Sequence, residues 1–382
     1  MIYYGKQSIS EEDIQAVIKV LRSPLITQGP EVERFEQRVA DYCGAKYAVA
    51  VTSATAALHI ACRAAGLGKG DTLWTSPITF VASANCGRYC GSDVDFVDID
   101  DSTYNMSMDE LEKKLIAGGR PKVVVPVHLC GQSCDMERIH ALAQQYGFTV
   151  IEDASHAMGA TYKDTRVGSC RYSDMTVFSF HPVKIITAGE GGIVLTNRKD
   201  LYDKLSILRT HAIVRDPARM THAPDGEWYY QQIDLGYNYR MTDFQAALGC
   251  SQLNRLDAFV TRRREIAKRY NELLRDLPVR IPYQSPDTNS SWHLYVLRMD
   301  FEKAGLSKQE FFDKMRAQGV APMVHYIPVH LQPYYEVLGF KAGQFPVSER
   351  YYTEAFSLPI YYDLIDEQQD KVINALKAVL CK

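Results

Sequence analysis

Between about residue 45 and residue 197, short apolar runs alternate with helical stretches, the rhythm of βα units laid around a mainly parallel sheet. Seven of the runs read as strands: Tyr47–Thr52, Thr72–Thr75, Asp95–Ile99, Lys122–His128, Thr149–Glu152, Met175–Phe180 and Gly192–Leu195. Helix starts fall between them. Ser107-Met108-Asp109-Glu110 has the spacing of a capping box ahead of Leu111 and Leu115, and Asp135 is placed to cap the following helix. From Met241 to Leu274 the pattern becomes long and helical, and beyond Pro278 a shorter α+β rhythm takes over, with a strand near His293–Met299. The expected architecture is therefore α/β, with a change of unit near 245–260. A large unit over residues 1–250 carries a mainly parallel mixed sheet, and a smaller C-terminal α+β unit covers residues 251–382. Val214–Trp228, rich in Pro, Asp, His and Gly, reads as a long loop, a type of segment that is often functional.

Composition narrows the classes of partner. A chain of 382 residues, 46% hydrophobic and 23% charged, can bury a sizeable core and is neither disordered nor disulfide-stapled in type. Forty-three Lys plus Arg against 46 Asp plus Glu leave a net charge of −3, so no global basic excess draws it to nucleic acid or anionic lipid. Any anion must be met by a local site. Met1-Ile2-Tyr3-Tyr4-Gly5-Lys6 opens without a secretory apolar stretch, and nowhere do the roughly 18 apolar residues of a membrane span run together, so the expected location is the cytoplasm. Nine cysteines, an odd number scattered through a long chain, are expected to be free thiols. The pairs Cys86/Cys90 and Cys130/Cys134 are spaced more widely than zinc thiolates usually are and have no histidine pair at finger spacing, so they read as buried small residues with no metal.

In open α/β sheets ligands lie beyond the carboxyl ends of the strands, where this chain has Ser53, Asp153 and His181. Ser179-Phe180-His181-Pro182-Val183-Lys184 leads from a buried strand to a lysine, followed by Gly189-Glu190-Gly191-Gly192. Desolvation there lowers a lysine pKa and suits it to a carbonyl as a Schiff-base amine, and the glycines permit close backbone approach or positive φ; a surface lysine beside a glycine turn is the plainer alternative. Asp153 ends a strand that should be buried. It fits either a protonated pyridine nitrogen, whose charge sustains the ring as an electron sink, or the cap of the next turn. Thr52-Ser53-Ala54-Thr55-Ala56-Ala57-Leu58 is a strand end, a small-residue turn and a helix start, able to bind a phosphate through backbone N–H groups or to act as a simple helix cap. No Gly-x-Gly-x-x-Gly supports a dinucleotide instead. Taken together, the three segments name a phosphate, a ring nitrogen and an aldehyde: pyridoxal 5'-phosphate.

The chain resembles the sugar-nucleotide aminotransferases of the DegT/StrS type, built on the aspartate aminotransferase fold, fold type I. The resemblance runs over essentially its whole length. Its carriers are Thr27-Gln28-Gly29-Pro30, Thr52–Leu58, Thr79-Phe80-Val81-Ala82, Glu152-Asp153-Ala154, Ser179–Lys184, Gly189–Gly192 and Gly236-Tyr237-Asn238-Tyr239-Arg240-Met241. It implies that Lys184 is the lysine bonded to the cofactor aldehyde and that Asp153 is the partner of the pyridine nitrogen. His156 would lie near the ring hydroxyl. Ala54, Thr55 and Ser179 would hold the phosphate, Phe80 would cover a ring face, and Asn238 would reach the cofactor of the neighbouring subunit in a homodimer with shared sites. Many relatives have Gly where this chain has Ala54, which implies an ordinary helical φ at that position.

Within the family, Tyr4–Ile9, Thr75–Asn85 and Asp153–Ala157 look most like the branch that serves pseudaminic acid biosynthesis. That branch aminates C4 of UDP-2-acetamido-2,6-dideoxy-β-L-arabino-hex-4-ulose, a UDP-linked 4-keto-6-deoxy sugar, with L-glutamate as donor and 2-oxoglutarate as co-product. On this likeness Tyr4, Pro24, Leu25, Ile26, Thr27, His325 and Tyr326 match segments that contact the sugar nucleotide. Alternatives are C4 amination of another NDP-4-keto-6-deoxy sugar, of bacillosamine or perosamine type, or a regulatory protein that kept the fold and lost the reaction. A 3-dehydrase of the same fold would carry His in place of Lys184.

Overall fold

Seven strands form the central sheet of the computed structural model, which describes residues 1–380. Their order across the sheet is Tyr47–Val51, Gly192–Thr196, Met175–Ser179, Thr149–Asp153, Val123–Val125, Thr72–Thr75 and Asp93–Phe96. Gly192–Thr196 runs antiparallel to both neighbours, and the remaining pairs are parallel. The sheet is therefore mixed and mostly parallel, as the βα rhythm predicts. Helices cover both faces, so the inner strands are mostly apolar, and Val123, Val124 and Val125 are all fully buried. Val123, Val125, Ile151 and Val177 pack under the Ala54–Ala64 helix, while Trp74, Val124 and Val150 pack against the helices Met108–Ile116 and Met136–Tyr146.

Several boundaries differ from expectation for identifiable reasons. The strand expected at Asp95–Ile99 ends at Phe96, because Asp98 turns away to accept hydrogen bonds from Val347 N (2.9 Å) and Ser348 N (3.0 Å) at the start of the Pro346–Glu354 helix. The expected Lys122–His128 strand is regular only over Val123–Val125, stopping at Pro126, which has no N–H for a ladder. Only half of the Ser107 capping box is made. Ser107 Oγ accepts from Glu110 N at 3.3 Å, but Ser107 N donates to the Asp98 carbonyl, and the Glu110 carboxylate receives Lys113. Asp135 does cap its helix, accepting from Arg138 N at 3.2 Å.

The helical stretch after Met241 is two helices, Asp243–Leu253 and Leu256–Leu274. The second crosses between two cores. Leu256, Phe259 and Val260 pack with Phe178 and Leu195 beside the sheet, whereas Ile266, Ala267, Tyr270 and Leu274 pack with Leu297, Phe356 and Leu376. In that C-terminal core Tyr295–Arg298 pairs antiparallel with Ala355–Leu358. Ile2–Tyr3, numbered with the large unit in the sequence reading, pairs instead with Val320–Ala321, and Ile2 joins the C-terminal core. Ile213–Val214 and Gln231–Gln232 pair as the base of an arm whose loop includes Val214–Trp228. The eight described cysteines are free thiols; Cys381 lies outside the described residues. Among the described residues no helix is long and apolar enough to cross a membrane, and no cluster of His, Cys, Asp and Glu could hold a metal.

Candidate active site

The site grows from the end of the Thr149–Asp153 strand, where alternation sends two adjacent acids to opposite faces. Asp153, 5% exposed, is held on both oxygens: Ser83 Oγ donates to Oδ2 at 2.5 Å, and Ser155 donates to Oδ1 from N (3.1 Å) and Oγ (2.6 Å). Thr79 Oγ1 lies 2.7 Å behind Ser83 Oγ. On the other face Glu152 receives the hydroxyls of Ser173 and Thr176 and, at 2.6 Å, the ring of fully buried His128. Cys134 N donates to His128 Nδ1, so the ring proton sits on Nε2 and points at the carboxylate. That network is closed, with every oxygen of Glu152 partnered.

Lys184 sits in the loop leaving the Met175–Ser179 strand, where Lys184 N donates to the His181 carbonyl and Ala188 N to the Phe180 carbonyl. Burial lowers its ammonium pKa to about 8, and the Asp153 carboxylate acts in the opposite sense. Three histidines face this lysine. Burial pushes His156 and His293 well below the ordinary imidazole value and His325 down to about 3; the nearby positive charge of Lys184 pushes each further. All three rings are therefore neutral near pH 7. Cys130 N donates to His156 Nδ1 at 3.3 Å, which fixes the proton of that neutral ring on Nε2, directed at Tyr326 Oη 3.1 Å away. Tyr326 then accepts from His156 and keeps its own hydroxyl proton to donate, with its pKa raised by burial. His325 Nδ1 meets Ser357 Oγ at 2.8 Å, and its ring packs edge-on against Tyr4 at 4.7 Å.

The Ala54–Ala64 helix begins on the same side. Ser53 caps it by accepting from Ala56 N at 3.2 Å, leaving the first amides, of Ala54 and Thr55, beyond intrahelical reach. Ala54 takes a helical conformation, as its side chain implies. Gly192 explains part of the glycine run: a Cβ there would lie 2.4 Å from the Ser53 carbonyl and 2.5 Å from Ala54 N. The absent side chain lets the antiparallel strand close on this turn, while Gly189 supplies a positive φ of 78°. Gly192→Ala should destabilise the protein by about 1–3 kcal/mol through overpacking and loosen the turn. Differential scanning fluorimetry with and without pyridoxal phosphate checks this. An unshifted Tm together with unaltered cofactor retention would contradict it.

Of the residues singled out in the sequence, the structure brings together Asp153, His156, Lys184, Tyr4, His325 and Tyr326, with Phe80, 58% exposed, at the rim 6.2 Å from the Tyr326 ring. Ala54, Thr55 and Ser179 cluster at the Gly192 contact, Ser179 pairing directly with Gly192. Pro24, Leu25, Ile26 and Thr27 lie apart, in the connection between the helices Glu11–Leu21 and Pro30–Cys43, anchored by Asp243 N donating to the Ile26 carbonyl. Asn238 is also apart, exposed and bridged to Thr210. Three residues went without a role in the sequence reading. Ser83 gives no signal in a small-residue helix, and His293 and Ser357 arrive from the C-terminal unit. Ser155 was visible as a hydroxyl two positions after Asp153.

The arrangement suits pyridoxal phosphate: free helix-start amides for the phosphate, an oriented buried carboxylate for the ring nitrogen, and an amine of lowered pKa for the aldehyde. Comparison with known proteins agrees. The model of the DegT/DnrJ/EryC1/StrS aminotransferase family matches residues 7–377. The chain is 42% identical over 380 residues to the spore coat polysaccharide biosynthesis protein SpsC of Bacillus subtilis (strain 168), covering 99% of this chain and 96% of that protein. Among solved structures it resembles Helicobacter pylori PseC, an aminotransferase involved in pseudoaminic acid biosynthesis, with a TM-score of 0.92 at 29% identity over 99% of both chains. The putative sugar aminotransferase Spr1654 of Streptococcus pneumoniae, solved in its PMP form, gives 0.89 at 30% identity over 98% of both chains. The chain thus belongs to the DegT/DnrJ/EryC1/StrS family and is a pyridoxal-phosphate-dependent sugar aminotransferase of fold type I.

Proposed function

We propose that this enzyme moves an amino group from L-glutamate to C4 of UDP-2-acetamido-2,6-dideoxy-β-L-arabino-hex-4-ulose, a step of pseudaminic acid biosynthesis. The observation that carries the reaction is Lys184, its pKa lowered to about 8, facing Asp153 within a wall of three neutral histidines. Support for the sugar is the likeness to PseC along the full chain, together with the Tyr4–His325–Tyr326 aromatic edge over the lysine. Bound pyridoxal phosphate supplies the electron sink. Lys184 serves as the base that carries a proton to and from the sugar C4. Asp153 would pair with the ring nitrogen, His156 would lie by the ring hydroxyl, and Phe80 would cover a ring face. The Ala54 and Thr55 amides with Ser179 Oγ would hold the phosphate, and Asn238 would complete its shell from the partner subunit of a homodimer. Tyr4, Pro24–Thr27, His325 and Tyr326 contact the sugar nucleotide.

The 42% identity to SpsC supports a second reading, in which another NDP-4-keto-6-deoxy sugar is the acceptor. A panel of UDP-4-keto sugars incubated with glutamate, with products identified by mass spectrometry and NMR, separates the two. The β-L-arabino ketose should exceed its epimers in kcat/KM by about tenfold or more, the scale of one net hydrogen bond. Preference for a D-configured ketose would replace the first reading with the second.

A further inference from the structure

Two cysteines that spacing alone assigns to the core meet a third outside the active site. Cys86 and Cys90 lie at the end of the Ala82–Tyr89 helix, and Cys62 lies on the neighbouring Ala54–Ala64 helix and engages both thiols. Cys62 and Cys86 are fully buried, whereas Cys90 is partly exposed, its Sγ 3.9 Å from the His59 carbonyl oxygen. His59 is 5% exposed. Its Nδ1 meets Tyr239 Oη at 3.1 Å, and its Nε2 is buried with no partner among the described residues. Cys90 lies against this imidazole, with Arg63 close by.

We propose that Cys90 is a site of oxidation by hydrogen peroxide or an organic hydroperoxide, and that Cys62 resolves the product into a disulfide joining the two helices beside His59. Cys90 combines access from solvent, a thiol neighbour and an unsatisfied ring nitrogen, the surroundings that favour thiolate chemistry. The Cys62 thiol first, then the neighbouring His59 ring and the Arg63 charge, lower the Cys90 thiol to about 6. The Cys90 thiolate attacks the terminal peroxide oxygen, the O–O bond breaks to leave a sulfenic acid on Cys90, and the leaving hydroxide, or the alkoxide of an organic hydroperoxide, takes a proton to become water or the alcohol. Cys62 then loses its proton as its sulfur displaces hydroxide from the Cys90 sulfenic acid, releasing water. Two thiols are oxidised and one peroxide is reduced. The Ala82–Tyr89 helix also carries Ser83, which holds Asp153, and Cys86 Sγ donates to the Ser83 carbonyl at 3.2 Å, so the disulfide forms about two turns along this helix from the residue that orients Asp153.

Peptide mapping of the full-length protein after brief peroxide treatment and alkylation tests this. A Cys62–Cys90 cross-link should form first, with buried Cys43 and Cys170 unmodified, and it should persist in Cys86→Ser. Cys62→Ser should leave Cys90 as a sulfenic acid that dimedone captures. Alkylation of Cys90 should show a midpoint near pH 6, and His59→Asn should slow its oxidation about tenfold. A cross-link through Cys86 in place of Cys62, or Cys90 oxidised no faster than the buried cysteines, would overturn the proposal.

Discussion

Lys184→Ala should lose amino transfer by roughly 10³-fold or more, because in the proposed reaction one amine both bonds the cofactor aldehyde and carries the proton at the sugar carbon. The visible absorption band of lysine-bound cofactor should vanish with it. On the proposed reading the Ala54–Thr55 amides and Asp153 would still hold the cofactor, so dialysis should leave part of it bound. The pH dependence follows from the lowered pKa. Only the neutral amine attacks an aldehyde, so the rate at which apoenzyme captures pyridoxal phosphate should rise with pH and level off above about 8, well below the range of an exposed lysine. Stopped-flow absorbance across pH 6–10 reads this directly. A rate still climbing past pH 10, or normal turnover in the alanine variant, would remove Lys184 from the chemistry.

Asp153→Asn should retain cofactor and lower kcat by about 10²-fold or more, since an amide cannot match the charge of a protonated ring nitrogen. The fold should tolerate the change, because the amide oxygen can still accept from Ser83 or Ser155. A second effect is independent of turnover. The Asp153 carboxylate favours the ammonium form of Lys184, so removing it should move the capture midpoint below about 8. Unchanged kcat with an unmoved midpoint would make Asp153 structural only.

The sheet was legible because its strands are short apolar runs bounded by turn residues, and the chemistry was legible where consecutive residues carry it, as in Ser179–Lys184 and Gly189–Gly192. What escaped was set by distant partners. Ile2–Tyr3 and Val320–Ala321 are two-residue strands, too short for any period to mark them, and they exist because each finds the other. Ser83 becomes informative only once folding brings it to a carboxylate 70 positions along the chain. His293 sits 4.3 Å from the His156 ring because a segment of the C-terminal unit, with Ser291 Oγ on the His156 carbonyl, closes over that loop. Asp98 ended its strand early to serve a helix 250 residues away. Local pattern cannot encode such choices.

Glu152 and Asp153 stand side by side in sequence yet belong to different compartments, one sealed against His128 and one open to the reacting lysine. A shift of one residue between the Thr149–Asp153 strand and its neighbours would exchange them. Asp153 would then be trapped in the protein interior, and His128, Ser173 and Thr176 would face a partner of the wrong length. Leaving a buried carboxylate without such hydrogen bonds costs about 3 kcal/mol or more. The polar network behind the strand is therefore an alignment key: it discriminates between two pairings that a run of valines and isoleucines would accept almost equally, and so determines during folding which acid the substrate will meet.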